Sequence, residues 1–361
     1  MSDSTLPRWT SFADLPRAHG GLLGTGRQRA EPEDFQVTEV LGFEADGEGD
    51  HWLLWVRKTG ANTEWVARRL AATAGVPVST VGYAGLKDRW AVTEQWFSLP
   101  RPRAGDAEPD WGPLAEQGIE VLEVHAHRRK LRRGTLAGNR FRIRLRECRP
   151  DPVALDVRLA SIRAHGVPNY FGEQRFGHAD GNLHRAHELL TGAAKRVPRH
   201  QRGLWLSAVR AQIFNELLAE RVHRGDWERL RPGDCPQLAG SHSFFLAEVI
   251  DEALRERAAW FDLHPSGPLW GRGEPPSRLE IQALEQAVAA ELSPWPERLA
   301  EQGLEQERRS LRLTVADLQG ELADGCLVLE FGLSSGAYAT SVLREIIDTF
   351  EQVQRQDGSN G

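Results

Sequence analysis

The chain has 361 residues, 40% of them hydrophobic, and a formal net charge of -6. That length and apolar fraction are enough to bury a sizeable core, and they call for two domains or one large domain carrying an insertion. No apolar run approaches membrane-spanning length and the N-terminus lacks the basic-then-apolar order of a signal peptide, so a soluble cytoplasmic protein with no membrane association is expected.

The first thirty or so residues are Gly-rich and weakly patterned; Gly21, Gly24 and Gly26 lack the spacing, the preceding strand and the following helix of a dinucleotide-binding loop. Pro32-Glu33-Asp34 reads as a turn leading into a strand that places Phe35, Val37 and Glu39 on one face. After the acidic turn Asp46-Gly47-Glu48-Gly49-Asp50, the run from His51 to Val56 is apolar at both parities and predicts a strand covered on both faces. A helix follows, capped by Asn62 or Thr63, with Val66, Leu70 and Ala74 as its stripe and Gly75 and Pro77 as its stop.

That helix delivers the chain to Val81-Gly82-Tyr83-Ala84-Gly85-Leu86-Lys87-Asp88-Arg89. The spacing predicts a short strand, Val81 to Ala84, and a turn holding Asp88 between two cations, before an extended segment from Ala91 to Phe97. Flanking positive charge favours an ionised carboxylate, and glycines at the approach let a large ligand come close to the backbone. A nucleophilic or general-base aspartate needs that setting; an ordinary polar turn in solvent is the alternative.

Pro100 to Gly118 reads as a surface excursion, and Ile119 to Ala126 as a strand ending in the basic cluster Arg128-Arg129-Lys130-Leu131-Arg132-Arg133, which can meet a phosphate backbone or simply be solvated. From Asn139 to Arg146 strict alternation puts Phe141, Ile143 and Leu145 on one face and arginines on the other; those like charges repel unless acids or phosphates lie opposite. Asp151-Pro152 opens a helix with the stripe Leu155, Leu159 and Ile162, ended by Gly166-Val167-Pro168. The aromatic, Gly-rich stretch from Asn169 to Gly177 begins a second domain that closes near Arg308-Arg309-Ser310, after which Leu311 to Val315 resumes strand alternation. Gly325 to Phe331 predicts a strand, and a helix from about Thr340 carries Val342, Leu343, Ile346, Ile347 and Phe350; Arg355 to Gly361 reads as a frayed tail.

The odd, scattered cysteines Cys148, Cys235 and Cys326 suggest neither a disulfide framework nor a metal site. The histidines, His125 and His127 or His178, His184 and His187, lack the companions that zinc spacing requires, so no metal is expected. No GxSxG turn marks a serine nucleophile. A lone aspartate, rings beside turns (Phe35, Phe141, Tyr338) and arginine-rich surfaces suit an enzyme that extracts a base from RNA and works on it with one carboxylate. Core packing is the alternative for each ring. A non-catalytic binder of structured RNA and an Asp-dependent N-glycoside hydrolase are the rival functional classes.

The stretch from Gly82 to Trp96 closely resembles the catalytic motif of the tRNA pseudouridine synthase D (TruD) family. So do Pro32 to Phe35 with the Gly47-Glu48-Gly49 turn, Leu131 to Gly134 leading to Gly138-Asn139-Arg140-Phe141, Pro168 to Gly177, and Ser335 to Glu345, in order along nearly the whole chain. The resemblance implies an α+β fold: a pseudouridine synthase-type catalytic domain with a mixed, largely antiparallel sheet, in two parts, 1–164 and 313–361, interrupted by a family-specific α/β insertion domain at 165–312. It implies isomerisation of uridine 13 in tRNA to pseudouridine with no metal and no organic cofactor, tRNA as the partner, and no protein partner. The family's catalytic aspartate matches Asp88, and its uridine-contacting positions match Phe35, Asn139, Phe141 and Tyr338, the last often Phe in the family. A lysine that the family often carries before the Pro-Glu-Asp-Phe stretch has Arg29 as its nearest match. Arg344, Lys87 and Arg29 are the candidate cations to pair with Asp88, with Arg89 as a further rival.

Overall fold

The structure is a computed structural model describing residues 5–101, 108–194 and 196–351. The chain forms two compact units, one of Leu22–Ala160, Val315–Gly336 and Ile346–Gly361, the other of Met1–Gly21, Ser161–Thr314 and Ala337–Glu345. Residues up to Gly21 and Ala337–Glu345, assigned by the sequence to the catalytic part, thus group with the second unit.

The first unit is built on an eight-stranded sheet. Its spatial order is Ala316–Ala323, Cys326–Ser334, Leu136–Leu145, Phe35–Leu41, Val92–Pro100, His51–Thr59 and Ile119–His127, with Gly82–Tyr83 also paired on Val92–Pro100. Within this sheet, among the described residues, only Phe35–Leu41 and Val92–Pro100 run parallel; its other pairings are antiparallel. The alternation expected for the Phe35 and Leu136 strands is present: Phe35, Val37, Phe141, Ile143 and Leu145 are buried on the core face. Helix Thr63–Ala74 starts where the Asn62 side chain accepts the Trp65 N–H at 2.8 Å and stops at Gly75, whose φ of 67° is left-handed. Its Val66, Leu70 and Ala71 pack on Trp52, Leu54, Val56, Phe97 and Leu99 of the sheet.

Two expectations are corrected by the structure. The C-terminal helix is only Ala339–Leu343, and Asp348–Phe350 is instead a strand lying parallel to Thr25–Arg27. The backbone there is claimed by the N-terminal segment, with Leu23 N–H donating to Ile346 O and Asp348 N–H to Gly24 O. The adjacent buried pair Ile346 and Ile347 fits a helical stripe and an extended segment alike, which is why periodicity misled. The excursion from Pro100 to Gly118 is also not all surface: Trp111 and the short 3-10 turn Gly112–Gln117 bury Trp111 and Leu114 in the core, while 102–107 lie outside the described residues, as does the tail from Arg355.

The second unit is mainly helical, with Gly181–Leu190, Arg199–His223, Glu252–Ala259, Leu279–Glu291 and Trp295–Glu301, and with short antiparallel strand pairs such as Ser266–Leu269 on Glu307–Ser310. Tyr170, Phe171, Phe176, Phe214 and Trp295 form the centre of its core. Asn215, buried on the longest helix, holds the aromatic stretch by accepting Phe171 N–H at 2.9 Å and donating to Phe171 O at 3.1 Å. No helix among the described residues is long and apolar enough to cross a membrane.

Candidate active site

The sheet is split at the point where Asp88 is presented. Phe35–Leu41 and Gly82–Tyr83 use the same edge of the Val92–Pro100 strand, the first at Val92 to Glu94 and the second at Phe97 and Ser98. The Trp96 N–H left between them donates to Glu39 Oε2 at 2.9 Å. Glu39 is buried, and its Oε1 pairs with Lys87 Nζ at 3.1 Å; Lys87 Nζ also donates to Asn139 Oδ1 at 2.6 Å. A buried carboxylate thus satisfies an orphaned backbone donor and anchors the cation that precedes Asp88. Because the lysine can only donate, it fixes the Asn139 amide with its oxygen inward and its N–H groups turned away.

The rest of the loop is tied down from below. Lys58 Nζ donates to Asp88 O at 2.8 Å and to Ala61 O at 2.7 Å. Thr63 Oγ1 accepts Lys87 N–H at 2.9 Å and donates to Gln95 Oε1 at 2.9 Å, and Gln95 Nε2 reaches Gly85 O at 3.3 Å. Arg89 Nε donates to Gly60 O at 3.2 Å. With the backbone held at so many points, the Asp88 carboxylate itself stays accessible: its side chain is 42% exposed and its Oδ2 accepts from Arg29 Nη2 at 2.8 Å.

Arg29 is therefore the cation that meets Asp88, rather than Lys87, Arg89 or Arg344. Lys87 and Arg89 are spent on Glu39, Asn139 and Gly60, as above. Arg344 belongs to the other unit, where its guanidinium donates to Leu15 O at 2.5 Å and Pro16 O at 3.1 Å and pairs with Glu345. Burial pushes the Arg344 guanidinium down from its ordinary value, and a buried guanidinium must be saturated with acceptors, so it is not available as a carboxylate partner elsewhere.

Arg29 also lies 4.3 Å over the Phe35 ring, and its left-handed backbone, φ 55°, is pinned by Trp90 Nε1 donating to Arg29 O at 2.9 Å. Phe35 is set by the preceding turn, in which fully buried Asp34 accepts Arg146 Nε at 2.9 Å and Glu31 N–H at 3.1 Å. Phe141 meets Phe35 edge-on at 6.2 Å and stacks on Phe331 at 5.4 Å, which leaves it only 9% exposed. Asp88, Arg29, Phe35, Asn139 and Phe141 are thereby joined through one network within the sheet unit.

Tyr338, in the other unit, caps the Ala339–Leu343 helix; its hydroxyl accepts from Arg175 Nη2 at 3.0 Å and its ring meets Phe171 edge-on at 6.3 Å. Gly172 is required beside it, since a Cβ there would come within 2.9 Å of Thr340 Oγ1 and 3.2 Å of Tyr338 Cδ1. The hydroxyl is thus an anchor to Arg175.

In the basic cluster, Arg128 pairs with Glu48, Lys130 Nζ donates to Ser79 O at 2.7 Å, and Arg133 lies 5.7 Å over the Tyr83 ring. Arg129 and Arg132 are exposed and have no ion pair or side-chain hydrogen bond among the described residues. The arginine face of the Leu136–Leu145 strand points away from Asn139 and Phe141, and acids answer it: Arg142 pairs with Glu330 at 2.9 Å, Arg140 with Asp317 at 3.7 Å, and Arg146, just past the strand, with Asp34. His187 accepts from Trp295 Nε1 at 3.3 Å and His184 packs edge-on against Trp9, so these histidines are packing groups. No cluster of three or more His, Cys, Asp or Glu able to hold a metal ion occurs among the described residues.

Sequence reasoning missed Lys58 and the joining role of Glu39. A signal for both was present, a charged residue at an inward parity of an apolar strand. Burial pushes Lys58 down to about 8, against the opposing pull of the Asp88 charge and with a smaller push from Lys87 in the same direction.

The model of the family described as tRNA pseudouridine synthase D (TruD) matches residues 21–191 and 182–346. A protein of Methylococcus capsulatus named tRNA pseudouridine synthase D is 49% identical over 343 residues, covering 95% of this chain and 96% of its own. One of the same name from Nitrosococcus oceani is 49% identical over 341 residues, covering 93% and 95%. The crystal structure assigned to a Methanosarcina mazei tRNA pseudouridine synthase D superposes with a TM-score of 0.71 over 91% of this chain and 95% of that one; at 22% identity it speaks for the α+β fold alone. The family match along nearly the whole length, with relatives at this identity, means that the chain belongs to the tRNA pseudouridine synthase D (TruD) family.

Proposed function

We propose that the protein is a tRNA pseudouridine synthase that isomerises uridine 13, with Asp88 as its catalytic residue. The observation that carries this reading is the accessible Asp88 carboxylate, paired with Arg29 on a loop whose backbone is clamped by Lys58, Thr63 and Gln95. The names of its relatives support the same reaction class. In the domain terms of the family, residues 1–164 and 313–361 make up the catalytic domain and 165–312 the insertion.

The reaction breaks the N1–C1′ bond of uridine, turns the uracil, and joins C5 to C1′; the C5 proton is released and N1 takes one up, so atoms balance without a cosubstrate. Asp88 acts ionised, either attacking C1′ or removing a sugar proton. Arg29 holds that charge and sets the carboxylate rotamer. Phe35 and Phe141 offer ring faces or edges to the base, and Asn139, its oxygen held by Lys87, presents N–H donors suited to the carbonyl oxygens of uracil. Tyr338 is a further uridine contact, and Arg128, Arg129, Lys130, Arg132 and Arg133 meet the tRNA backbone.

The test is carbodiimide mapping of pseudouridine in a tRNA transcript treated with the wild-type protein or with Asp88→Asn. The wild type modifies position 13 and the variant does not, while both bind tRNA alike. Free uracil among the products would point to hydrolysis, and binding without modification would make the chain an RNA-binding protein only.

A further inference from the structure

Lys58 lies inward on the His51–Thr59 strand, and none of it reaches solvent. Among the described residues it has no salt bridge; it binds two backbone carbonyls, those of Ala61 and Asp88. A buried ammonium facing only carbonyls is a costly way to tie a loop when neutral groups do so beside it, Thr63 by accepting Lys87 N–H and Gln95 by donating to Gly85 O. What distinguishes Lys58 from them is its charge and its contact with the peptide of the residue that does the chemistry.

We propose that Lys58 is a positioning residue for the reaction, its ammonium fixing the Asp88 peptide and placing a second cation, besides Arg29, behind the Asp88 carboxylate. The proposal rests on the reading of Asp88 as the catalytic residue. The charged groups around Lys58 are Asp88 itself, which opposes the loss of its proton, and Lys87, which favours it. Lys87 is in turn bound to Glu39, Asp88 to Arg29, and Arg89 to the Gly60 carbonyl one residue before Ala61. Burial brings the ammonium down to about 8, so Lys58 gives up its charge just above neutrality. The catalytic step then slows through that range although tRNA binding does not change.

The experiment measures single-turnover pseudouridine formation at saturating tRNA from about pH 6.5 to 9.5, with tRNA affinity and melting temperature, for the wild type, Lys58→Met and Lys58→Arg. Lys58→Met is expected to bind tRNA as the wild type does, to react roughly tenfold to a hundredfold more slowly, and to lack the wild-type decline near pH 8. Lys58→Arg, charged throughout, is expected to recover part of the rate and to show no decline near pH 8. A folded Lys58→Met with the wild-type rate and profile overturns the proposal. If that variant does not fold, a wild-type rate that stays flat between about pH 7 and 9 overturns it equally. A wild type that forms no pseudouridine at any pH sinks the functional reading and this proposal with it, whereas an active wild type matched by Lys58→Met sinks this proposal alone.

Discussion

Replacing Arg29 by Gln removes the guanidinium that meets Asp88 at 2.8 Å and covers Phe35 at 4.3 Å, and leaves the backbone acceptor of Trp90 in place. Opposite unit charges about 4 Å apart are worth ~1 kcal/mol in bulk water and ~4 kcal/mol at the effective dielectric of a protein surface. The two side chains are 19% and 42% exposed, so solvent screening holds the pair near the lower part of that range. The cation over the ring adds ~0.5–1 kcal/mol of orientation. A combined loss of ~1.5–3 kcal/mol of order in the reacting carboxylate corresponds to a chemical step roughly ten to two hundred times slower. Single-turnover conversion of saturating tRNA reads this directly, and tRNA affinity should change little, since one cation among many phosphate contacts is removed. Arg29→Lys keeps the charge without the fork and should fall between. Wild-type single-turnover kinetics in Arg29→Gln would refute the argument that this pair orders Asp88.

Phe141→Ala opens a cavity between Phe331 and Phe35 and should cost ~3–5 kcal/mol of stability, seen as a lower melting temperature; an unchanged melt would mean that the ring is not part of the core. Neutralising Arg129 and Arg132 together should flatten the salt dependence of tRNA binding by roughly two units of slope or less without slowing saturated turnover, and an unchanged slope would leave the cluster merely solvated. Burial first, and Arg312 second, push His264 down to about 4. The folded imidazole therefore stays neutral where the unfolded one takes a proton: the stability is fully present above about pH 6.5 and is lost as pH falls toward 4, by up to ~3 kcal/mol. In denaturant titrations His264→Gln should show a shallower loss across that window; an identical slope would exclude His264 as the titrating group.

Much of this molecule is legible in local patterns. Period-two alternation predicts the Phe35 and Leu136 strands with the correct face inward, because a sheet buried on one side leaves no freedom in register. Asn62 and Gly75 mark the ends of the helix before the Asp88 loop, because the orphaned groups of a helix end are satisfied within a few residues of it. The collinear motifs likewise suffice to place the chain in its family. What the sequence does not determine is every choice among chemically equivalent partners far apart in the chain. Arg29, Lys87, Arg89 and Arg344 are all cations; only the folded arrangement gives Asp88 to Arg29, Lys87 to Glu39, and Arg344 to the carbonyls of the N-terminal segment. Within the arginine stripe, Arg142 meets Glu330 because strand pairing sets the two side by side, and Arg140 meets Asp317 of the Ala316–Ala323 strand; pairing across the chain is invisible to alternation. The same holds at the C-terminus, where Asp348–Phe350 becomes a strand because Thr25–Arg27 offers its backbone. Lys58 and Glu39 are the sharpest case: their charges are buried only because a split sheet edge and a loop carbonyl are there to receive them, and tertiary structure alone supplies those acceptors.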